Sequence, residues 1–210
     1  MKKQELQTKL SEYFDDKISK IYIQNNELNL IVDEKNYYDC ILSLRNEFNF
    51  EQLIDLCGID YLLYGTTHEL LDDELPTSHN IKNDNDTNHR FAVITHLLSY
   101  KNNLRLRVKV YLSDDTKPAI KSICDIYSVA NWFEREAFDL LGIDFTSHPD
   151  MRRILSDYGF EGHPLRKDFP TGGRVEIIYD NDSKKVKYQT TTHEPRVLVP
   201  RVIKNIQNSL

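Results

Sequence analysis

Leu104-Arg105-Leu106-Arg107-Val108-Lys109-Val110-Tyr111-Leu112 is the stretch that decides the fold. Apolar residues alternate with Arg105, Arg107, Lys109 and Tyr111, so a strand here buries one face and wets the other. Lys101-Asn102-Asn103 just before it reads as a turn, and Phe91 to Tyr100 as its antiparallel partner. Further upstream, strand-like runs at Ile18 to Ile23 and Leu28 to Val32 flank Asn25-Asn26, a pair that tolerates the positive φ of a tight hairpin. Another strand falls near Leu53 to Leu63. Leu6, Leu10, Tyr13 and Phe14 have helical spacing within Gln4 to Lys17, and Tyr38, Ile41, Leu42 and Arg45 mark a second helix. Beyond the alternating strand two helices are predicted, over Ala119 to Tyr127 and Ala130 to Leu141, with Gly142 as a left-handed stop. Hairpin-paired strands backed by helices define an α+β fold, a two-layer sandwich of a mixed or antiparallel sheet with helices.

The chain divides by composition. Residues 1–146 carry the periodic patterns and form the predicted globular domain. A polar stretch at about 66–89, with Asp72-Asp73-Glu74 and Asn83-Asp84-Asn85-Asp86, reads as a surface insertion. Residues 147–210 hold five of the seven prolines and four of the seven glycines. Only Val175 to Tyr179 and Val197 to Val199 look strand-like there, and Val202 to Asn208 has the makings of a short helix. Apolar anchors at Ile154, Leu155, Tyr158, Phe160, Leu165 and Phe169 argue against disorder, so this part reads as an extended arm packed on a partner protein.

Of the 210 residues 40% are hydrophobic and 29% charged, which excludes a disordered polyampholyte. Apolar runs are as short as Phe91-Ala92-Val93-Ile94, whereas a membrane span needs about 20 residues. Lys2-Lys3 is followed by no apolar segment, and Glu5, Glu12, Asp15 and Asp16 spoil a transit-peptide reading. The net charge of −6 disfavours nucleic acid as a partner, yet residues 147–210 alone sum to +3, so the arm suits an acidic surface. Cys40, Cys57 and Cys124 stand singly, which suits a reducing compartment and core packing and offers no cluster of thiolates for zinc or iron–sulfur.

The densest polar run is Glu134-Arg135-Glu136-Ala137-Phe138-Asp139-Leu140-Leu141-Gly142. On a helix Arg135 and Asp139 are i, i+4 neighbours, and Glu136 and Asp139 are i, i+3 neighbours. Two adjacent carboxylates can share a proton or bind a metal. The plainer reading is an arginine-buttressed network. His148-Pro149-Asp150 places a histidine in a proline-fixed turn, as a general base or a hydrogen-bonded structural residue. His148 and His163 lack the spacing of a zinc site. Arg152-Arg153 and the run from His163 through Pro164, Leu165, Arg166 and Lys167 to Pro170 supply guanidinium and ammonium groups suited to carboxylates across an interface. No phosphate loop or nucleophile elbow accompanies them. The pattern points to a recognition surface.

Two blocks then take on a shared meaning: E-R-E-A-F-D-L-L-G-I-D-F-T-S-H-P-D-M-R-R-I-L from Glu134 to Leu155, and Y-G-F-E-G-H-P-L-R-K-D-F-P from Tyr158 to Pro170. Together with R-F-A-V-I-T-H-L-L-S at Arg90 to Ser99 they resemble the 30-kDa subunit of proton-pumping NADH:quinone oxidoreductase, respiratory complex I. The resemblance spans roughly residues 18–170. Ser147 stands where that family usually has Gly, from which the turn is expected not to need a positive φ. Met151 stands where Leu is commoner.

The resemblance implies a peripheral-arm subunit that binds no cofactor of its own. FMN, iron–sulfur clusters, NADH and quinone would sit in partner subunits. The arm would extend over the large neighbouring subunit near the quinone-reducing region. The resemblance also implies membrane association only through the complex, on the cytoplasmic side of a bacterial inner membrane. The residues expected at the subunit interface are Glu134, Arg135, Glu136, Asp139, Gly142, His148, Pro149, Arg152, Arg153, Pro164, Leu165, Arg166 and Lys167. Two alternatives stand beside this reading. One is the equivalent subunit of a membrane-bound hydrogenase or an F420H2- or ferredoxin-linked dehydrogenase. The other is a stand-alone acid/base enzyme using Glu136, Asp139 and His148.

Overall fold

In the computed structural model, residues 3–62, 89–170, 172–173 and 175–191 are described. Helix α1 (Lys3–Phe14) is followed by strands β1 (Ile18–Gln24) and β2 (Glu27–Val32), helix α2 (Tyr37–Asn46) and strand β3 (Gln52–Asp60). Strands β4 (Phe91–Ser99), β5 (Leu104–Tyr111) and β6 (Ala119–Lys121), helix α3 (Ala130–Leu141) and strand β7 (Asp144–Thr146) complete the domain. Five strands make one sheet in the order β1-β2-β5-β4-β3. It is mixed: β2 and β5 run parallel and every other neighbour is antiparallel. This is the α+β sandwich expected from the alternation.

The central strand behaves as its pattern requires. Leu104, Leu106, Val108 and Val110 are buried while Arg105 is exposed. They join Leu6, Leu10 and Phe14 of α1 and Tyr37, Cys40, Ile41 and Leu44 of α2 in one core. Each fully buried aliphatic side chain contributes about 1.5–3 kcal/mol. Asn25 and Asn26 hold φ of 51° and 62°, the left-handed pair that closes a two-residue hairpin matched to strand twist. Helix α3 lies close on β3 because Gly58 has no side chain: a Cβ there would stand 2.6 Å from Leu141 Cδ1 and 2.7 Å from Ile143 Cδ1. Gly142 ends α3 at φ 70°, its amide donating to the Phe138 carbonyl.

Several expectations are corrected. Ala119 to Tyr127 is not a helix: Ala119–Lys121 pairs in parallel with Asp144–Thr146, and the chain then turns under α3. Apolar residues at 120, 123, 126 and 127 mimic a helical stripe, but Ile123 gives its amide to the Glu134 carboxylate and not to a preceding carbonyl. Lys185–Thr190 forms a strand, β9, that its lysines disguised; it pairs antiparallel with β8 (Val175–Asp180). Ser147 does adopt a positive φ, 67°. Cys40 is buried and Cys124 half-buried, but Cys57 is exposed. The expected insertion (all but His89), the strand at 197–199 and the helix at 202–208 lie outside the described residues.

Candidate functional site

Helix α3 turns two carboxylates inward, and the two meet opposite environments. Neither the Glu134 nor the Asp139 side chain exposes any surface. Glu134 Oε2 accepts the Ser122 hydroxyl at 2.6 Å and Oε1 accepts the Ile123 amide at 2.8 Å, with Cys124 Sγ at 3.3 Å. Burial pushes its pKa up over the opposing pull of those hydrogen bonds. Asp139 Oδ2 accepts the successive amides of Ile154, Leu155 and Ser156 at 3.0, 2.8 and 2.8 Å, and Oδ1 takes Arg153 Nη1 at 2.7 Å. Burial alone would raise its pKa; the hydrogen bonds from Ser156, Leu155 and Arg153 together outweigh it and hold the carboxyl far below its usual range.

Asp139 is therefore the clasp of a latch that fastens residues 150–168 to the domain. Arg153 also donates to the Gly162 carbonyl, and His163 Nδ1 lies 2.9 Å from the Asp139 carbonyl, to which it must donate. Arg166 Nε donates to the Leu141 carbonyl at 2.6 Å, placing a cation on the C-terminal carbonyls of α3. The Leu165 amide donates to the Leu140 carbonyl. Arg135 reaches the other side of the arm, donating to the carbonyls of Arg152 and Arg153.

A second clasp escaped the sequence reading. Asp60, at the end of β3, accepts Arg90 through both oxygens at 2.9 and 2.8 Å and takes the Lys167 amide at 2.9 Å. Arg90 bridges on to Asp168 at 2.9 Å. Burial works to raise the Asp60 pKa, but Arg90 and the two amides prevail and lower it. The arginine sits in a block already noted, yet no local signal links Asp60 to a residue 107 positions away.

The expected interface residues thus divide. Glu134 and Asp139 are spent inside the chain, Arg135, Arg153 and Arg166 tie the arm down, and Glu136, Pro149, Arg152, Leu165 and Lys167 are exposed. Gly142 and Pro164 are half-buried beside the latch. Glu136 faces solvent while the acceptors of Asp139 are occupied, so the two do not form the shared acid pair. His148 is packed inward. Its Nδ1 accepts the Asp150 amide at 3.0 Å, while Nε2 lies 4.0 Å from Glu134 Oε2 and has no partner at hydrogen-bond geometry. Burial holds its pKa low against the upward pull of the Asn131 backbone.

Exposed apolar surface is concentrated on the β8–β9 hairpin. The register puts Val175, Ile177, Tyr179, Val186 and Tyr188 on one face, each at least 57% exposed, and Glu176, Asp180, Lys185 and Lys187 on the other. Tyr188 donates its hydroxyl to Asp157, bringing this face beside the exposed Leu155 and Tyr158. An isolated two-stranded hairpin is marginal in water.

Fold and site define a class: a two-layer α+β domain whose buried carboxylates latch a proline-rich arm along one helix. Residues 30–175 match the model of the respiratory-chain NADH dehydrogenase 30-kDa subunit. An NADH-quinone oxidoreductase subunit of Burkholderia multivorans is 50% identical over 180 residues, 85% of this chain and 82% of that one. Its counterpart in Albidiferax ferrireducens is 48% identical over 181 residues, 85% and 81% of the two chains. A trypsin-resistant fragment of Nqo5 superposes with a TM-score of 0.51 at 27% identity, covering 69% of this chain and 98% of the fragment. A chain of an archaeal membrane-bound sulfane sulfur reductase shares the fold, with a TM-score of 0.61 at 19% identity over 81% and 86% of the chains. The chain belongs to the 30-kDa subunit family of respiratory-chain NADH dehydrogenase.

Proposed function

We propose that this chain is a non-redox, peripheral-arm subunit of a proton-translocating NADH:quinone oxidoreductase, and that its work is assembly. The observation that carries this reading is the half-identity to NADH-quinone oxidoreductase subunits over most of both chains. In the complex, electrons pass from NADH through FMN and iron–sulfur clusters to quinone, all held by partner subunits; this chain scaffolds that path. No helix among the described residues is long and apolar enough to cross a membrane, which fits attachment through partners at the cytoplasmic face of a bacterial inner membrane. The globular unit spans 1–146, and 147–210 is the arm that reaches the large neighbouring subunit. Its root is latched to its own domain, and the apolar hairpin face supplies contact further out. The exposed residues Glu136, Pro149, Arg152, Leu165 and Lys167 flank that contact, and Asp139, Arg153 and Arg166 set its position.

The test is affinity purification of the tagged full chain from gently solubilised membranes of its host, followed by assays for size, FMN, iron and NADH:quinone activity. A large complex with all of these is the expected result. A large complex lacking FMN and NADH activity overturns the electron-input assignment, and a lone 24.7 kDa species overturns assembly altogether. In an Ile177→Asp/Tyr188→Asp variant the chain should fold and lose co-purification at least about tenfold, since charge is placed in the centre of an apolar contact. Wild-type recovery in that variant would remove the hairpin from the interface.

A further inference from the structure

Three segments meet at the root of the arm: the turn after β6, the first half of α3 and the loop after β7. They bring Cys124, Glu134 and His148 together. Cys124 Sγ lies 3.3 Å and His148 Nε2 lies 4.0 Å from the same Glu134 oxygen, and the three atoms fall within 4.8 Å of one another. The Glu134 and His148 side chains expose no surface. His148 Nε2 points at this cluster without a partner at hydrogen-bond geometry, whereas buried polar atoms nearly always have one. A cavity of about 320 Å³, lined among others by Cys124, Asp125, Ser147 and Pro149, opens on the thiol side.

We propose that Cys124, Glu134 and His148 form a binding site for one divalent transition-metal ion, with Zn²⁺ the best fit and the fourth position open to the cavity. Thiolate, imidazole and carboxylate are the zinc donor set, and a sulfur donor selects against Mg²⁺ and Ca²⁺. Bonds of about 2.0–2.3 Å put tetrahedral ligands roughly 3.3–3.8 Å apart. The thiol and the imidazole are already near that distance from the carboxylate, and the thiol–imidazole leg closes onto the ion. Thiolate and carboxylate balance the two positive charges.

The protons balance as follows. The buried Cys124 thiol, whose pKa burial pushes up to about 12, releases its proton to solvent as the S–metal bond forms. Because the Asp150 amide donates to Nδ1, the neutral His148 ring carries its proton on Nε2. Coordination moves that proton to Nδ1 and gives up the Asp150 bond, so metal binding reshapes the His148-Pro149-Asp150 turn. The ion would staple helix, turn and arm at one point, and this stands independently of what the arm docks against.

The full chain, stripped with chelator, is titrated with Co²⁺ as a spectroscopic probe and then with Zn²⁺ in competition. The expected result is one Co²⁺ per chain, a thiolate-to-cobalt charge-transfer band, visible bands of four-coordinate intensity, and a thermal midpoint raised by Zn²⁺. Cys124→Ser should abolish the charge-transfer band and weaken binding at least about tenfold, while Cys57→Ser, at the exposed thiol, leaves both unchanged. No stoichiometric band in the wild type, a band that survives Cys124→Ser, or one lost in Cys57→Ser overturns the site. Should Cys124→Ser fail to fold, iodoacetamide labelling of the wild type decides: Zn²⁺ should slow alkylation of Cys124 and not of Cys57, and equal rates at Cys124 with and without Zn²⁺ overturn it.

Discussion

The sheet around β5 and the latch along α3 are held by different physics. In the sheet, Leu104, Leu106, Val108 and Val110 lose water against two helices, and each contribution is roughly proportional to buried area. In the latch almost nothing apolar is fully buried between Asp150 and Asp168; Asp139 and Asp60 instead collect charged and amide donors. An apolar core tolerates volume-conserving exchanges because no single atom is indispensable. A buried carboxylate with four donors has no substitute, since removing it strands every donor at once.

That contrast can be broken in order of expected effect. Asp139→Ala leaves Arg153 and three amides without their acceptor, and loss of one member of a buried charged pair costs about 3–5 kcal/mol. Urea unfolding should show that loss, and trypsin should cut faster after Arg152 and Arg153. Leu106→Ala should cost about 2–5 kcal/mol without a change in the trypsin pattern of the native chain. An identical cleavage pattern in both variants would erase the distinction between core and latch.

Acid sharpens it further. The folded pKa of Asp139 lies below its ordinary 3.8, so its contribution is complete above that value and is lost as pH falls through the folded pKa. Glu134 runs the other way: its folded pKa lies above 4.5, so its burial costs nothing in acid and costs progressively more as pH rises through the folded value. The urea midpoint of Asp139→Asn should therefore fall less than the wild type below pH 3.8, and that of Glu134→Gln should decline less on raising pH above 4.5. Curves parallel to the wild type would show that neither carboxylate is linked to folding. The smallest effect is a gain. Ser147 sits at φ 67°, where a side chain is strained, and Ser147→Gly should stabilise the chain by about 1 kcal/mol in the same unfolding assay.

Much of the fold was legible because it is written in short-range periodicity. The alternation at 104–112, the Asn25-Asn26 turn and Gly142 at the end of α3 each carry their meaning within a few residues. At 119–127 the same kind of reading failed, because β6 exists only through its parallel partner at 144–146, and the amide after it is claimed by Glu134. Strand β9 failed for a related reason: Lys185 and Lys187 occupy the wet face of a hairpin whose other face is apolar, and pairing with β8 reveals which face is which. The candidate site was half legible. Glu134, Asp139, His148, Arg153 and Arg166 stood out as residue types in a dense run, but their roles did not.

By itself the sequence determined the α+β class, the order of most elements and the family, since periodicity, turn chemistry and two motif blocks are properties of neighbouring residues. Tertiary structure alone decided that Asp139 clasps the arm and Asp60 a second point of it, and that Cys124 and His148 share the carboxylate of Glu134. Those partners are 10 to 107 positions apart, and whether a carboxylate is an exposed acid or a buried clasp depends on how many donors the folded chain delivers to it.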